Sequence, residues 1–262
     1  MANFQIKTVP AIIGAGVGAV AFVLLNALLP SIWILLLVYA AVMLLGYIVG
    51  AVTVGNSGGE FFRGLLIGTN SAVNWAVAAI VFPKIFGSPL GAILAIVVGI
   101  YPLLSTIGAI SRSGVYQGFL GYLNWLLPMS WPIVAFGFAF FILSLLGGFI
   151  GLAGVAFFKL EKVVFHWQTG TLFLKGGWIA NANPIDTAFN MGNFAYVDTK
   201  FDEMALDHES GHTLNLASFG SLFHLIGTVD ENLLRHENAL SECLAESHVS
   251  GSARPVLSMW NV

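Results

Sequence analysis

Long apolar runs fill the amino-terminal part of the chain, and shorter alternating runs and polar helical patterns follow. The runs near 9–29, 31–54, 64–83, 88–111 and 131–157 approach or exceed the roughly 20 residues that carry a helix across a bilayer. A shorter run at 115–129 leaves the count at five or six spans. Pro30 lies between the first two runs and predicts a tight hairpin. Turns are expected at the Gly, Asn and Ser residues of 55–59 and at Gly87-Ser88-Pro89.

Within the runs, Gly14 and Gly18, Gly46 and Gly50, and Gly147 and Gly151 recur at the spacing that lets helices approach closely in lipid. Thr69, Asn70, Ser71 and Asn74 form the most polar stripe of the third span. Buried amides need partners, so this face should meet other helices or a wet cavity rather than lipid. Interhelical hydrogen bonding is the expected use, and a substrate groove is the alternative. No buried charge pair and no broken-helix repeat marks a transporter.

Beyond residue 162 the pattern changes. Val163 to Ala180 alternates as two strands joined by glycine turns, and a further strand is expected over 192–198. A helix is predicted from about Phe201 towards Phe219, and a later one carries Ser241 to Glu246. The expected organisation is a transmembrane bundle over 1–157 and a small α+β domain over 158–262.

Composition sharpens this division. The chain of 262 residues is 57% hydrophobic and 9% charged, far from the soluble average of about 25% charged. Only Lys7, Glu60, Arg63, Lys84 and Arg112 are charged before residue 158, whereas all six histidines lie after it. Lys7 precedes an apolar run long enough to cross, so the first run is expected to be a retained span rather than a signal peptide. If 115–129 also crosses, Lys7, Arg63, Arg112, Lys159 and Lys162 share one side and Lys84 takes the other, which places the carboxyl-terminal domain in the cytoplasm by the positive-inside tendency. If it is re-entrant, the domain moves across. The expected location is the bacterial inner membrane. The lone Cys243 excludes an intramolecular disulfide. Acidic residues outnumber basic ones in the polar part, which speaks against nucleic acid as a partner.

Candidate chemistry concentrates in Asp207-His208-Glu209-Ser210-Gly211-His212-Thr213. Two imidazoles four residues apart share a helix face and can hold a zinc ion, with Glu209 placed as general base beside them. Catalytic zinc takes three protein ligands and keeps a position for water, whose pKa it lowers to about 7. The third ligand should come from a later helix. Glu242 and Glu246 lie four apart on one face, so one can bind the metal while the other hydrogen-bonds a ligand histidine from behind. Asp230, Glu231 and Glu237 compete for the third position.

These residues resemble the gluzincin metallopeptidases, a class that includes thermolysin-like enzymes and the membrane-anchored HtpX-type and CAAX-processing proteases. The likeness rests on His208-Glu209-Ser210-Gly211-His212 and on Glu242 with Glu246, against that class's HExxH and downstream ExxxD, and covers about residues 190–250. It implies a zincin-like domain in which His208, His212 and Glu242 ligate Zn2+, Glu209 is the general base and Glu246 replaces the supporting aspartate. It further implies that the strand ending near Tyr196 is an edge that pairs with an extended substrate. The glutamate at 246 departs from the pattern, because its longer side chain alters the reach to the histidine.

His248 and Arg254 are candidate oxyanion donors, although surface or capping roles are the plainer reading. His224 sits in an apolar stretch and reads as packed or interfacial. His236 reads as solvent-facing, and Cys243, about 100° round the helix from Glu242, as packing. The apolar segment Leu214–Ile226 should lie against the bundle or in the membrane interface. The function expected from these residues is an integral membrane zinc metallopeptidase that hydrolyses membrane-associated polypeptides by a zinc-activated water. The alternative is a non-catalytic subunit or scaffold of a membrane protein complex, with a structural or degenerate metal site.

Overall fold

The computed structural model describes residues 7–29, 31–53, 56–182, 188–198, 205–235 and 239–248. The side chains of 205–207, 235 and 246–248 lie outside that description. In the amino-terminal part, helices α1 (Thr8–Leu28), α2 (Ile32–Val52), α3 (Ser57–Phe86) and α4 (Ser88–Ile100) follow one another, and α4 continues as a 3-10 turn over Tyr101–Thr106. Two short helices, α5 (Gly108–Ser111) and α6 (Gly114–Leu123), precede the long α7 (Trp131–Leu152). Among the described residues, five helices, with α4 taken through Thr106, are long and apolar enough to cross a membrane. The architecture is that of an integral membrane protein.

Helix α3 is the hub of the bundle. An added Cβ at Gly64 or Gly68 would overlap the Ala11 or Ala15 carbonyl, and one at Gly14 or Gly18 would overlap the Phe61 or Leu65 carbonyl. Glycines on both helices thus bring α1 and α3 into backbone contact, running in the same direction. Gly46 of α2 receives Leu66 of α3. Asn56 accepts from Gly59 N at 2.9 Å and caps α3.

The bundle also holds a buried charge pair, contrary to the expectation from sequence. Arg63 Nη2 lies 3.0 Å from Glu60 Oε2, and Arg63 Nη1 donates to the Ser105 carbonyl at 3.2 Å. The two residues are one helical turn apart, so each neutralises the other inside the fold.

A four-stranded mixed sheet follows, built from β1 (Leu160–His166), β2 (Thr171–Gly176), β3 (Ala188–Met191) and β4 (Phe194–Val197), with a short helix α8 (Trp178–Asn181) after β2. The strand order is β1-β2-β4-β3. The outer pairs are antiparallel and the central pair β2–β4 is parallel. The first two strands and the one at 192–198 appear as expected, whereas β3 was not read from the sequence. Its four residues are too few to show a period.

Helix α9 (Ala205–Asp230) leads through a π turn (Glu231–Arg235) to α10 (Leu240–His248). Gly220 breaks α9 with φ 81° and ψ 174°, left-handed backbone that favours glycine. The groups freed by the break are held from the bundle. Asn70 Nδ2 donates to Ser218 O at 3.0 Å, Tyr39 Oη donates to Phe219 O at 3.4 Å, and Ser221 N donates to Met129 O at 2.7 Å. Asn74 in turn accepts from Met129 N at 2.9 Å. The two asparagines of the α3 stripe therefore serve hydrogen bonding between segments, whereas the buried hydroxyls of Thr69 and Ser71 make none among the described residues.

The boundary at 157/158 marks a change of sequence pattern but no break in packing. Phe219 and Phe223 of α9 share a core with Tyr39, Met43, Ile67 and Val73 of α2 and α3. Leu214 and Ala217 pack with Ala78, Phe82, Leu120 and Leu127. The sheet lies along α7, with Tyr196 Oη donating to Gly137 O at 2.6 Å and Trp178 Nε1 donating to Leu143 O at 2.9 Å. Apolar segment Leu214–Ile226 thus sits against the bundle.

Candidate metal centre

His208 and His212 sit on consecutive turns of α9, and their rings lie 4.8 Å apart at 80°. Glu242 reaches them from the first turn of α10. Its Oε2 is 2.9 Å from His208 Nε2, and its Oε1 is 3.2 Å from His212 Nε2. The two imidazole nitrogens are 3.1 Å apart. Tetrahedral zinc with bonds of about 2.0–2.1 Å would place its ligand atoms about 3.3 Å from one another. The two nitrogens, and each nitrogen with its own carboxylate oxygen, lie near that separation, and with one donor atom per residue all three fall within 4.8 Å of one another, so the cluster could hold a metal ion.

Glycine makes the approach of the two helices feasible. An added Cβ at Gly211 would overlap the Ala245 carbonyl, and one at Gly227 would lie 2.6 Å from the Ser241 Cβ. Helix α10 is therefore pressed against α9 on both sides of its break. Asn215 Nδ2 donates to Ser241 O at 2.9 Å and ties them further.

The sheet grips the opposite side of the motif. Asn190 Nδ2 of β3 donates to Glu209 O at 2.8 Å and to Thr213 Oγ1 at 3.1 Å. Thr171 Oγ1 of β2 donates to Thr213 Oγ1 at 2.9 Å, whose own hydroxyl donates to Gly192 O at 2.7 Å. Ser210 Oγ lies 3.2 Å from His166 Nδ1. These contacts fix the axial position of the turn that carries both histidines and Glu209.

Electrostatics follow from burial and the carboxylates. Burial by itself lowers the His212 pKa, but the Glu242 carboxylate outweighs it, with a smaller contribution from Glu209, and the net shift is upward from 6.5. Burial would raise the Glu242 carboxyl, yet the two imidazoles hold it well below the usual carboxylate range. His224 is buried and pushed down to about 4 by that burial and by His212. It is thus neutral near pH 7, and its Nε2 lies 2.9 Å from Asn190 O, while its ring centre is 6.2 Å from that of His212.

Of the residues singled out in the sequence, His208, His212 and Glu242 converge, and Glu209 is buried beside them at 4% exposure. Tyr196 does not line an edge. Strand β4 is internal, flanked by β2 and β3, and Tyr196 is 1% exposed with its hydroxyl on Gly137. The sheet edges are β1 and β3, because an unread strand covers the one expected to be free. Asp230, a competitor for the third position, is engaged by Tyr47 instead, at 2.6 Å. Cys243 packs, with Sγ 2.9 Å from Ala239 O. The side chains of Glu246 and His248, together with His236, Glu237 and Arg254, lie outside the described residues. Sequence reasoning missed Asn190 and Thr213 as supports and left His224 as a packing residue. Polar residues at every third position from His212 through Asn215, Ser218 and Ser221 to His224 are a local signal for His224, whereas Asn190 lies in a four-residue strand with no such pattern.

No protein-family model, no curated protein and no solved structure matches the chain.

Proposed function

We propose that the chain is an integral membrane zinc metallopeptidase that hydrolyses membrane-associated polypeptides. The observation that carries this reading is the convergence of His208, His212 and Glu242 beside the buried Glu209. Two imidazoles and one carboxylate form a donor set used by catalytic zinc, with a fourth position left for water or substrate. When bound, zinc supplies Lewis acidity towards the scissile carbonyl and lowers the pKa of water. Glu209 accepts a proton from the attacking water as its oxygen bonds to the carbonyl carbon, and delivers that proton to the amine nitrogen as the C–N bond breaks. His208 and His212 are held in register by the sheet, and Glu242 by α10.

The position of the motif supports a membrane-associated substrate. Helix α9 carries His208 and His212 in one half and ends in the bundle core, so an extended peptide reaching the site runs beside membrane-spanning helices. We also propose that the site belongs to the cytoplasmic half of the fold. Tyr116 donates to Tyr101 O at 3.0 Å near the Arg63 end of α3, while Trp131 meets Phe82 near the other end. That course supports reading 114–130 as a broken passage through the bundle, although α6 alone has ten residues.

The test is metal content of the purified protein by mass spectrometry. One zinc per chain is expected, lost in His208→Ala/His212→Ala, and Glu209→Gln should keep the metal while losing hydrolysis of a membrane-anchored peptide. Absence of metal from wild type purified without chelator would instead leave a hydrogen-bonded His–Glu–His cluster in a non-catalytic membrane subunit.

A further inference from the structure

Helix α10 supplies the third donor of the site, yet the described residue at its start, Ala239, has no side-chain oxygen to cap it. Ala239 accepts the first helical hydrogen bond, from Cys243 N at 3.1 Å, and so occupies the N-cap position with a methyl side chain. Capping normally comes from a side-chain oxygen at that position, which accepts from the unpaired N–H groups of the first turn. Here two other elements supply the oxygens. Asp230 Oδ2, at the end of α9, lies 3.4 Å from Leu240 N, and the Tyr47 hydroxyl of α2 lies 3.4 Å from Ser241 N.

The two groups also hold each other. The Tyr47 hydroxyl donates to Asp230 Oδ2 at 2.6 Å, leaving its oxygen lone pairs for Ser241 N. Both residues are buried, at 2% for Tyr47 and 4% for Asp230. One turn along α2, Leu240 lies on Gly50, with 3.2 Å from the position of an added Cβ to Leu240 Cδ2. Glu242 is the residue next after Ser241, on the same first turn. A helix of nine residues does not hold its own direction in isolation, so the groups that fix its first turn aim the Glu242 carboxylate.

We propose that Tyr47 and Asp230 are positioning residues for Glu242, acting as a composite cap that ties the third metal donor to the membrane helix α2. This rests on the metal-site reading above. The bundle then does more than anchor the protein: completion of the donor triangle depends on the seating of α10 against α2. Neither residue touches the metal, and the effect passes through the backbone of Leu240 and Ser241.

The experiment is a double-mutant cycle read by zinc titration of the full-length protein. Tyr47→Phe keeps the ring against Phe223, 5.0 Å away, and removes only the hydroxyl. Zinc affinity should fall about tenfold or more, the range for lost supporting contacts at metal sites. In a Glu242→Ala background, where no third donor remains to be aimed, the same change should leave zinc affinity unaltered. Asp230→Asn provides the same cycle if Tyr47→Phe does not accumulate. An equal loss in both backgrounds, or none in either, overturns the inference and leaves the metal site standing. A wild-type protein that binds no zinc overturns the metal reading as well.

Discussion

The carboxylate of Glu242 and the ring of His212 compensate each other's burial, and this sets opposite pH responses for the metal-free and zinc-loaded protein. His212 is raised above 6.5, so in the metal-free fold its protonated form contributes stability below the unfolded value, lost as pH rises through the folded one. Glu242 is depressed, so its contribution is present above the unfolded carboxyl value and lost as pH falls through the folded one. The chelated protein should therefore be most stable between about 4.5, the ordinary carboxyl value, and about 6.5, the ordinary imidazole value, and should lose stability as pH rises from there through the raised imidazole value. Zinc must displace the His212 proton, and its affinity should climb by about tenfold per pH unit across that titration before levelling. Thermal unfolding with chelator, alongside zinc titrations at several pH values, measures both slopes, and parallel slopes would show that His212 is no ligand. The two histidines and Glu209 were legible because a helical repeat alone brings them together. Glu242 was legible only as one of several carboxylates. Tyr47 carries no sequence signal for the site, since it meets Ser241 from 194 residues away.

Between elements, the contact of α9 with α10 is set by glycine rather than by interlocking side chains. An added Cβ at Gly211 would overlap backbone atoms of Ala245, and backbone cannot rotate aside as a side chain can. Gly211→Ala should thus push α10 outward, part Glu242 from both histidines and lower zinc affinity by about 10–100-fold, while His208 and His212 stay on an intact turn. A zinc titration of this variant that matches wild type would show that α10 tolerates the shift, and the close packing would then lose its role at the site. The long spans were readable at this scale because length and apolarity suffice to define them. The break at Gly220 was foreshadowed, since the predicted helix stops near Phe219. Strand β3 escaped because four residues carry no period, and the run at 115–129 was seen but its course stayed open, because the ten residues of α6 are too few to cross alone.

At the scale of the whole molecule, the course of 114–130 decides which side of the membrane the sheet faces. Thr8 Oγ1 accepts from Gly108 N at 3.3 Å, so the start of α1 and the stretch after α4 lie at one end of the bundle. Arg63 reaches the same end through Ser105, and Lys84 lies near the far end of α3. If 114–130 passes from the first end to the second, as Tyr116 and Trp131 indicate by their partners, α7 returns and carries Lys159 and Lys162 back to the end that holds Lys7 and Arg112. Lys7, Arg112, Lys159 and Lys162 then lie at one end, with the buried Arg63 beside them, and Lys84 at the other, and the positive-inside tendency assigns the first end to the cytoplasm. Lys84→Cys and Lys162→Cys, both at exposed positions, test this in intact cells with a membrane-impermeant thiol reagent. Cys243 is buried, and its replacement by Ala removes any background. The Cys at 84 should react from outside and the one at 162 only after permeabilisation. Labelling of both from the same side would mean that 114–130 turns back within the bundle, and the metal site would then belong to the other compartment with its fold unchanged.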